Sequence, residues 1–158
     1  MTIAEAVVIL DKSRKFLLFS LSYKCYNVFG DNMKVITIKQ LWASLIVNGF
    51  KEYEFRSWKT NYRGKVLIHA GLSTDNNMLK KLLGYNLEYT KGAIIGEADL
   101  VDCILVEEKL DGCLRNINSI VYGNNHIGNY AWKLENIKKY DNPIYIKGKL
   151  GLWNYEIV

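Results

Sequence analysis

The sequence predicts an α+β domain: a small mixed β-barrel of five to seven strands flanked by two or three helices. Three observations lead there. A single proline in 158 residues and many β-branched runs favour strands over a helix bundle. Short stretches alternate polar and apolar residues between turn signals, which is the period of a half-buried strand. Two amphipathic stretches each end at a glycine, the residue that closes a helix in the left-handed conformation.

Lys34–Ile38 alternates charge with β-branched residues and reads as a strand. Residues 39–48 place Leu41, Trp42, Leu45 and Ile46 at helical spacing, with Gly49 as the stop. Residues 52–57 alternate again, with Tyr53 and Phe55 on one face and Glu52, Glu54 and Arg56 on the other. Arg63-Gly64 turns the chain into a buried strand at 65–70. Ser73 or Thr74 is expected to cap a helix over 75–83 that Gly84 ends. Residues 92–107 read as a long strand bent near Gly96, and 111–122 as a third helix. A loop rich in Asn and Gly at 124–129 precedes strands at 130–136, 144–147 and 152–157.

The chain is long enough to bury an ordinary core as one domain, and 49% apolar with 23% charged residues is a globular composition. Residues 1–32 differ in character from the rest of the chain and end in the turn signal Gly30-Asp31-Asn32. They are expected to be an extension upstream of a domain spanning 33–158, with Met33 as the true start. No run approaches the length needed to cross a bilayer. The apolar segments near the amino end are split by Asp11, Lys12, Arg14 and Lys15, against a signal peptide. Cys25, Cys103 and Cys113 lack metal-ligand spacing and fit a reducing cytoplasm. No metal and no cofactor are expected. His126 lies in a polar loop without a second ligand, and His69 sits in an apolar strand as a core residue.

The net charge of +5 is unevenly spread. Residues 34–65 carry seven Lys or Arg against Glu52 and Glu54, while 88–111 carry seven acids against Lys91 and Lys109. Such a field attracts polyanions. Within it, Lys51, Glu54 and Arg56 fall within six positions, with tryptophans on both sides. Side chains two apart on a strand share a face, so Glu54 and Arg56 can pair, and Lys51 at the preceding turn can join them. The plainer alternative is a solvated edge strand whose charges block aggregation.

Several motifs in order resemble the ASCH domain family, the activating-signal-cointegrator homology family with a PUA-like barrel. They are Gln40-Leu41-Trp42-Ala43-Ser44-Leu45, Gly49 through Trp58 with Lys51, Arg56 and Ser57, Tyr62-Arg63-Gly64, and Leu67-Ile68-His69-Ala70. Later come Leu100-Val101-Asp102-Cys103, Tyr130-Ala131-Trp132 and Lys147 through Trp153. The resemblance covers roughly 34–155. Leu41 stands where the family usually has proline; proline at a first helical position is a convenience, so its loss should cost little.

The resemblance implies RNA or another nucleic acid in a basic cleft between the first helix and the barrel. In that reading Lys51, Arg56, Lys59, Arg63 and Lys133 meet phosphates, and Trp58, Tyr130 or Trp132 stacks a base. Gln40, Ser44 and Ser57 belong to the same motifs and join the expected ligand-binding set, whereas Trp42 reads as core. The resemblance also implies a rival: hydrolysis of an acylated cytidine or of RNA at the same cleft. Lys51 and Glu54 would then be catalytic. Glu54 occupies the position of a threonine in the small hydrolytic relatives, and Glu97 is the candidate for their later glutamate. Whether the domain is an enzyme stays open. A third alternative is a non-catalytic adaptor docking on a ribonucleoprotein partner. No membrane partner is expected.

Overall fold

Among the described residues, six strands form one mixed sheet. The computed structural model describes residues 32–156. The expected upstream extension lies outside these residues, as does Cys25.

The elements run β1 (Asn32–Gln40), α1 (Trp42–Val47), β2 (Tyr53–Arg56), β3 (Gly64–Thr74), α2 (Asn76–Lys81), a 3₁₀ turn (Leu83–Tyr85), β4 (Ala93–Leu105), α3 (Glu108–Ile117), α4 (Ser119–Tyr122), β5 (Tyr130–Tyr145) and β6 (Leu152–Glu156). The strand order is β2-β5-β4-β3-β1-β6. Only β1 and β3 pair in parallel; the other neighbours are antiparallel. Hydrogen bonding does not close the sheet into a barrel. Its curl nonetheless brings β2 back toward β1, because an Arg56 nitrogen on β2 donates to the Thr37 carbonyl on β1 at 2.7 Å.

Three apolar clusters hold this shape. The main one packs Ile36, Ile38, Ile46, Ile68, Leu100 and Trp132 between α1 and the sheet. A second joins Leu41, just before α1, and Leu45 of α1 to Met78, Leu82, Leu114 and Tyr122 on the helical side. A third lies on the other face of β1 and β3, around Val35, Leu67, Ile94 and Trp153.

The turn from α1 into β2 sets the site. Gly49, at φ +78°, donates to Ile46 O at 2.8 Å, and Phe50 donates to Leu45 O at 2.9 Å. This is the paired closure that a left-handed glycine permits, as the sequence indicated. It reverses the chain so that Lys51 enters the interior. At the other end of α1, Leu41 lies outside the helix and not at its first position. Leu41 precedes the first helical residue with φ +77°, a value that a proline ring excludes, and its N–H is held by Gln40 Oε1 at 2.9 Å.

Three further expectations are corrected. Asp75, not Ser73 or Thr74, caps α2, accepting from Asn77 N and Met78 N. The third helix begins at Glu108 and is divided at Asn118, whose side chain caps α4, so four helices are present among the described residues. The strands expected at 130–136 and 144–147 are one strand, β5. The long fourth strand is bulged as expected, and at Gly96 a Cβ would lie 2.5 Å from Lys138 O. Among the described residues no helix is long and apolar enough to cross a membrane.

Candidate functional site

Lys51, Glu54 and Arg56 form a chain of charges at the base of a cleft. Lys51 Nζ donates to Glu54 Oε2 at 2.8 Å and to the Tyr53 carbonyl. Arg56 Nη2 meets Glu54 Oε1 at 3.2 Å while also holding Thr37 O. Both carboxylate oxygens are therefore taken by cations. Lys51 is 2% exposed, and its amine lies 5.2 Å from the centre of the Phe55 ring and 5.9 Å from that of Trp42. Burial drives its pKa below the ordinary lysine range; the Glu54 carboxylate opposes this, and the Arg56 charge adds to it. Arg56 is the most exposed of the three, and its buried Nε has no acceptor among the described residues.

Above this chain lies a cavity of about 290 Å³. Thr37 and Lys39 of β1, Trp42 of α1, and Phe55 and Arg56 of β2 form one side. Asp75, Val121, Asn124 and His126 complete it from the helical side. Trp42 packs against two core clusters and still presents part of its ring to the cavity. Phe55 is stacked by His126, with ring centres 3.6 Å apart and planes 4° from parallel. Tyr122 meets the Phe55 ring edge-on, and its hydroxyl accepts from Glu52 N at 2.9 Å, fixing the entry to β2.

The remaining residues marked in the sequence are dispersed. Gln40 and Ser44 are buried and bond each other at 3.0 Å. Gln40 also donates to Thr90 O, and Ser44 bonds Glu88 O. They pin α1 to the segment before β4 and do not line the cavity. Trp132 is 1% exposed, inside the main core, and Trp58 packs edge-on against it with 4.7 Å between ring centres. Tyr130 is half-buried against the same core. None of these three lines the cavity.

Ser57 and Lys59 are exposed on the connection from β2 to β3. Arg63 is engaged by Asp102 at 3.1 Å and Lys133 by Glu135 at 2.7 Å. Glu97 is bonded by Lys65 and Tyr140 and lies away from the cavity. His69 is core, as expected, with Nε2 2.9 Å from Ile146 O. No three metal-ligating side chains cluster among the described residues.

The sequence reading missed the cavity walls supplied by Thr37, Trp42, Phe55, Asp75 and His126. Phe55 alternates correctly with Glu54, yet both border the cavity because it lies along the free edge of β2. For His126 no sequence signal existed, since an Asn- and Gly-rich loop has no period.

Comparisons with known proteins agree on one family. The ASCH domain profile matches residues 36–144. The chain is 35% identical over 81 aligned residues to Activating signal cointegrator 1 of Homo sapiens, and equally to that of Mus musculus. These alignments cover 44% of this chain and 14% of those proteins, so the chain spans only a small part of their length. The crystal structure of ASCH from Zymomonas mobilis superposes with a TM-score of 0.50 at 16% identity, over 77% of this chain and 86% of that one. That likeness shows the shared fold. With its family profile spanning most of the described sheet, the chain belongs to the ASCH domain family.

Proposed function

We propose that this domain binds RNA, or a nucleoside from it, by taking one base into the cavity above Lys51, Glu54 and Arg56. The observation that carries the reading is the buried Lys51–Glu54–Arg56 chain opening into a hollow walled by Trp42, Phe55 and His126. A volume of about 290 Å³ stands at the small end of ligand pockets and suits one heterocycle rather than a run of nucleotides. Aromatic walls supply stacking for any base, and the Arg56 fork supplies directed donors. The backbone then stays outside, where Lys39 and Lys59 are exposed and the basic stretch 34–65 attracts phosphate.

Fluorescence polarisation with short single-stranded RNAs, repeated over a salt series, tests this. Binding should weaken with salt, and Arg56→Ala and Trp42→Ala should each cost about tenfold or more. If both variants bind like the parent, the base does not occupy this cavity. Binding of a protein partner without RNA would favour the adaptor reading.

A hydrolytic reading draws on one feature, the 2.8 Å amine–carboxylate contact in a dry setting. Glu97 does not reach the cavity, so water activation would fall to Glu54 with Lys51 as its charge partner. Both Glu54 oxygens are engaged, so a base role requires one cation to withdraw. Product analysis with acylated cytidine and with RNA decides it: turnover lost in Lys51→Met supports catalysis, and no turnover in the parent protein removes it.

A further inference from the structure

We propose that His126 is a ligand-contacting residue of the cleft, its imidazole edge exchanging hydrogen bonds with an uncharged heterocycle held in the cavity. This deepens the base-binding reading and rests on it.

Three observations support the assignment. First, the ring is fixed in place. It lies flat on Phe55, 3.6 Å between centres, and its own backbone N–H donates to Asp111 Oδ1 at 3.1 Å. Asp111 is itself buried on α3 and paired with Arg115 at 2.7 Å. A loop of Asn and Gly is thus anchored at the one residue that faces the cavity with an aromatic ring.

Second, most of the deeper polar groups around the cavity are already committed. Lys51 is bonded to Glu54 and Tyr53 O, Glu54 to both cations, and Asp75 to the start of α2. Arg56 holds Glu54 and Thr37 O through Nη2, while its Nε has no acceptor among the described residues. Lys39 and Asn124 are exposed at the surface. No hydrogen bond among the described residues takes up either ring nitrogen of half-buried His126.

Third, the charges around the ring select its form. Burial lowers the His126 pKa and the Lys51 charge lowers it further; Asp111 and Glu54 oppose this, and Arg115 adds to it. A neutral imidazole keeps one donor and one acceptor on nitrogens that point apart, so the nitrogen facing the cavity can accept from the N–H of an uncharged base. It offers a phosphate only one donor. Protonation would remove the acceptor and add a cation beside Lys51.

The test uses the full chain with cytidine, uridine, adenosine and guanosine as probes, measured by calorimetry at about pH 7.5 and about pH 5.5. NMR of the imidazole and of Trp42 and Arg56 reports where each probe sits. The best-bound nucleoside should lose affinity on acidification, by less than the roughly tenfold that an imidazole at its ordinary value of about 6.5 would give. His126→Phe keeps a ring on Phe55 but no polar edge, and should lose about tenfold at the higher pH. His126→Gln restores a donor and an acceptor, so it should bind within about threefold of the parent and show no acid loss.

Equal affinity at both pH values together with an undiminished His126→Phe overturns the proposal. Affinity that rises on acidification overturns the uncharged ligand, because it marks an anionic group at the ring. A nucleoside that perturbs Trp42 and Arg56 but not His126 overturns the histidine contact and leaves base binding intact. If neither a nucleoside nor a short RNA binds, the base-binding reading falls and this one with it.

Discussion

Two of the lysine–carboxylate clusters on and beside this sheet have lysines shifted in opposite directions. At the cleft, Lys51 meets Glu54 at 2.8 Å; farther along, Lys65 of β3 meets Glu97 at 3.0 Å and Asp99 at 3.5 Å on β4. The contact distances barely differ. The Lys51 side chain is 3% exposed and that of Lys65 33%. For Lys51, burial outweighs its carboxylate partner and the pKa falls. For Lys65, burial also works against the charge, but Glu97 and Asp99 outweigh it and the pKa rises. Only the first cluster borders a cavity. An ion pair by itself therefore marks nothing; loss of solvent together with concavity marks a site.

Removing each lysine is the strongest way to break this contrast. Lys51→Met leaves the buried Glu54 with Arg56 alone and should cost about 3 kcal/mol of unfolding free energy in urea melts. Lys65→Met, at a partly solvated pair, should cost about 1 kcal/mol or less. Equal losses would mean that burial does not distinguish the clusters.

Gly96 adjoins Glu97 in the chain and lies against α1 and β5. A Cβ there would stand 2.5 Å from Lys138 O and 2.8 Å from a Val47 methyl. Backbone cannot yield as a side-chain tip does, so Gly96→Ala should cost about 1–3 kcal/mol. The loss should appear as a lower urea midpoint with an unchanged denaturant slope. A neutral outcome would show that β4 and β5 separate easily at the bulge.

Arg56→Lys sharpens the comparison at the cleft itself. The charge is kept, but one ammonium replaces a fork that holds Glu54 and Thr37 O at once. RNA or nucleoside affinity should fall about tenfold while the unfolding midpoint moves little. The reverse pattern, stable binding with a large loss of stability, would make Arg56 a strut between β2 and β1 and not a ligand contact.

Much of this was legible in the sequence wherever a local rule sufficed. The left-handed glycine after α1, the alternation through 53–56 and the bulge near Gly96 needed only nearest neighbours. The fold and the charged chain at 51, 54 and 56 came with them. Failures occurred where a distant partner decided. Strands are expected at 130–136 and 144–147 separately, yet β5 runs through Asp141-Asn142-Pro143 between them. Beyond Lys133 that strand is paired only with β4, and a free edge tolerates proline. Leu41 takes a strained φ because Gln40 Oε1 gathers both its N–H and that of Ser44. The cavity wall joins Thr37, Asp75 and His126, which no spacing relates; the curl of the sheet and the anchor at Asp111 bring them together.

The alkaline limb of stability gives the finest test, because linkage assigns the two lysines opposite signs. A group whose pKa is lowered by folding binds fewer protons in the native than in the unfolded state between its native value and 10.5. Stability contributed through Lys51 therefore rises as pH climbs toward 10.5, where the buried amine no longer has to carry a desolvated charge. A group whose pKa is raised holds its proton longer in the native state, so the contribution of Lys65 is complete below 10.5 and fades above it. Comparing each variant with the parent cancels the tyrosines that titrate in the same range. The stability gap between parent and Lys51→Met should widen as pH climbs toward 10.5, and the gap for Lys65→Met should narrow beyond 10.5. Parallel gaps would place both amines in the same kind of environment, and the cleft would lose the one electrostatic property that separates it from the rest of the sheet.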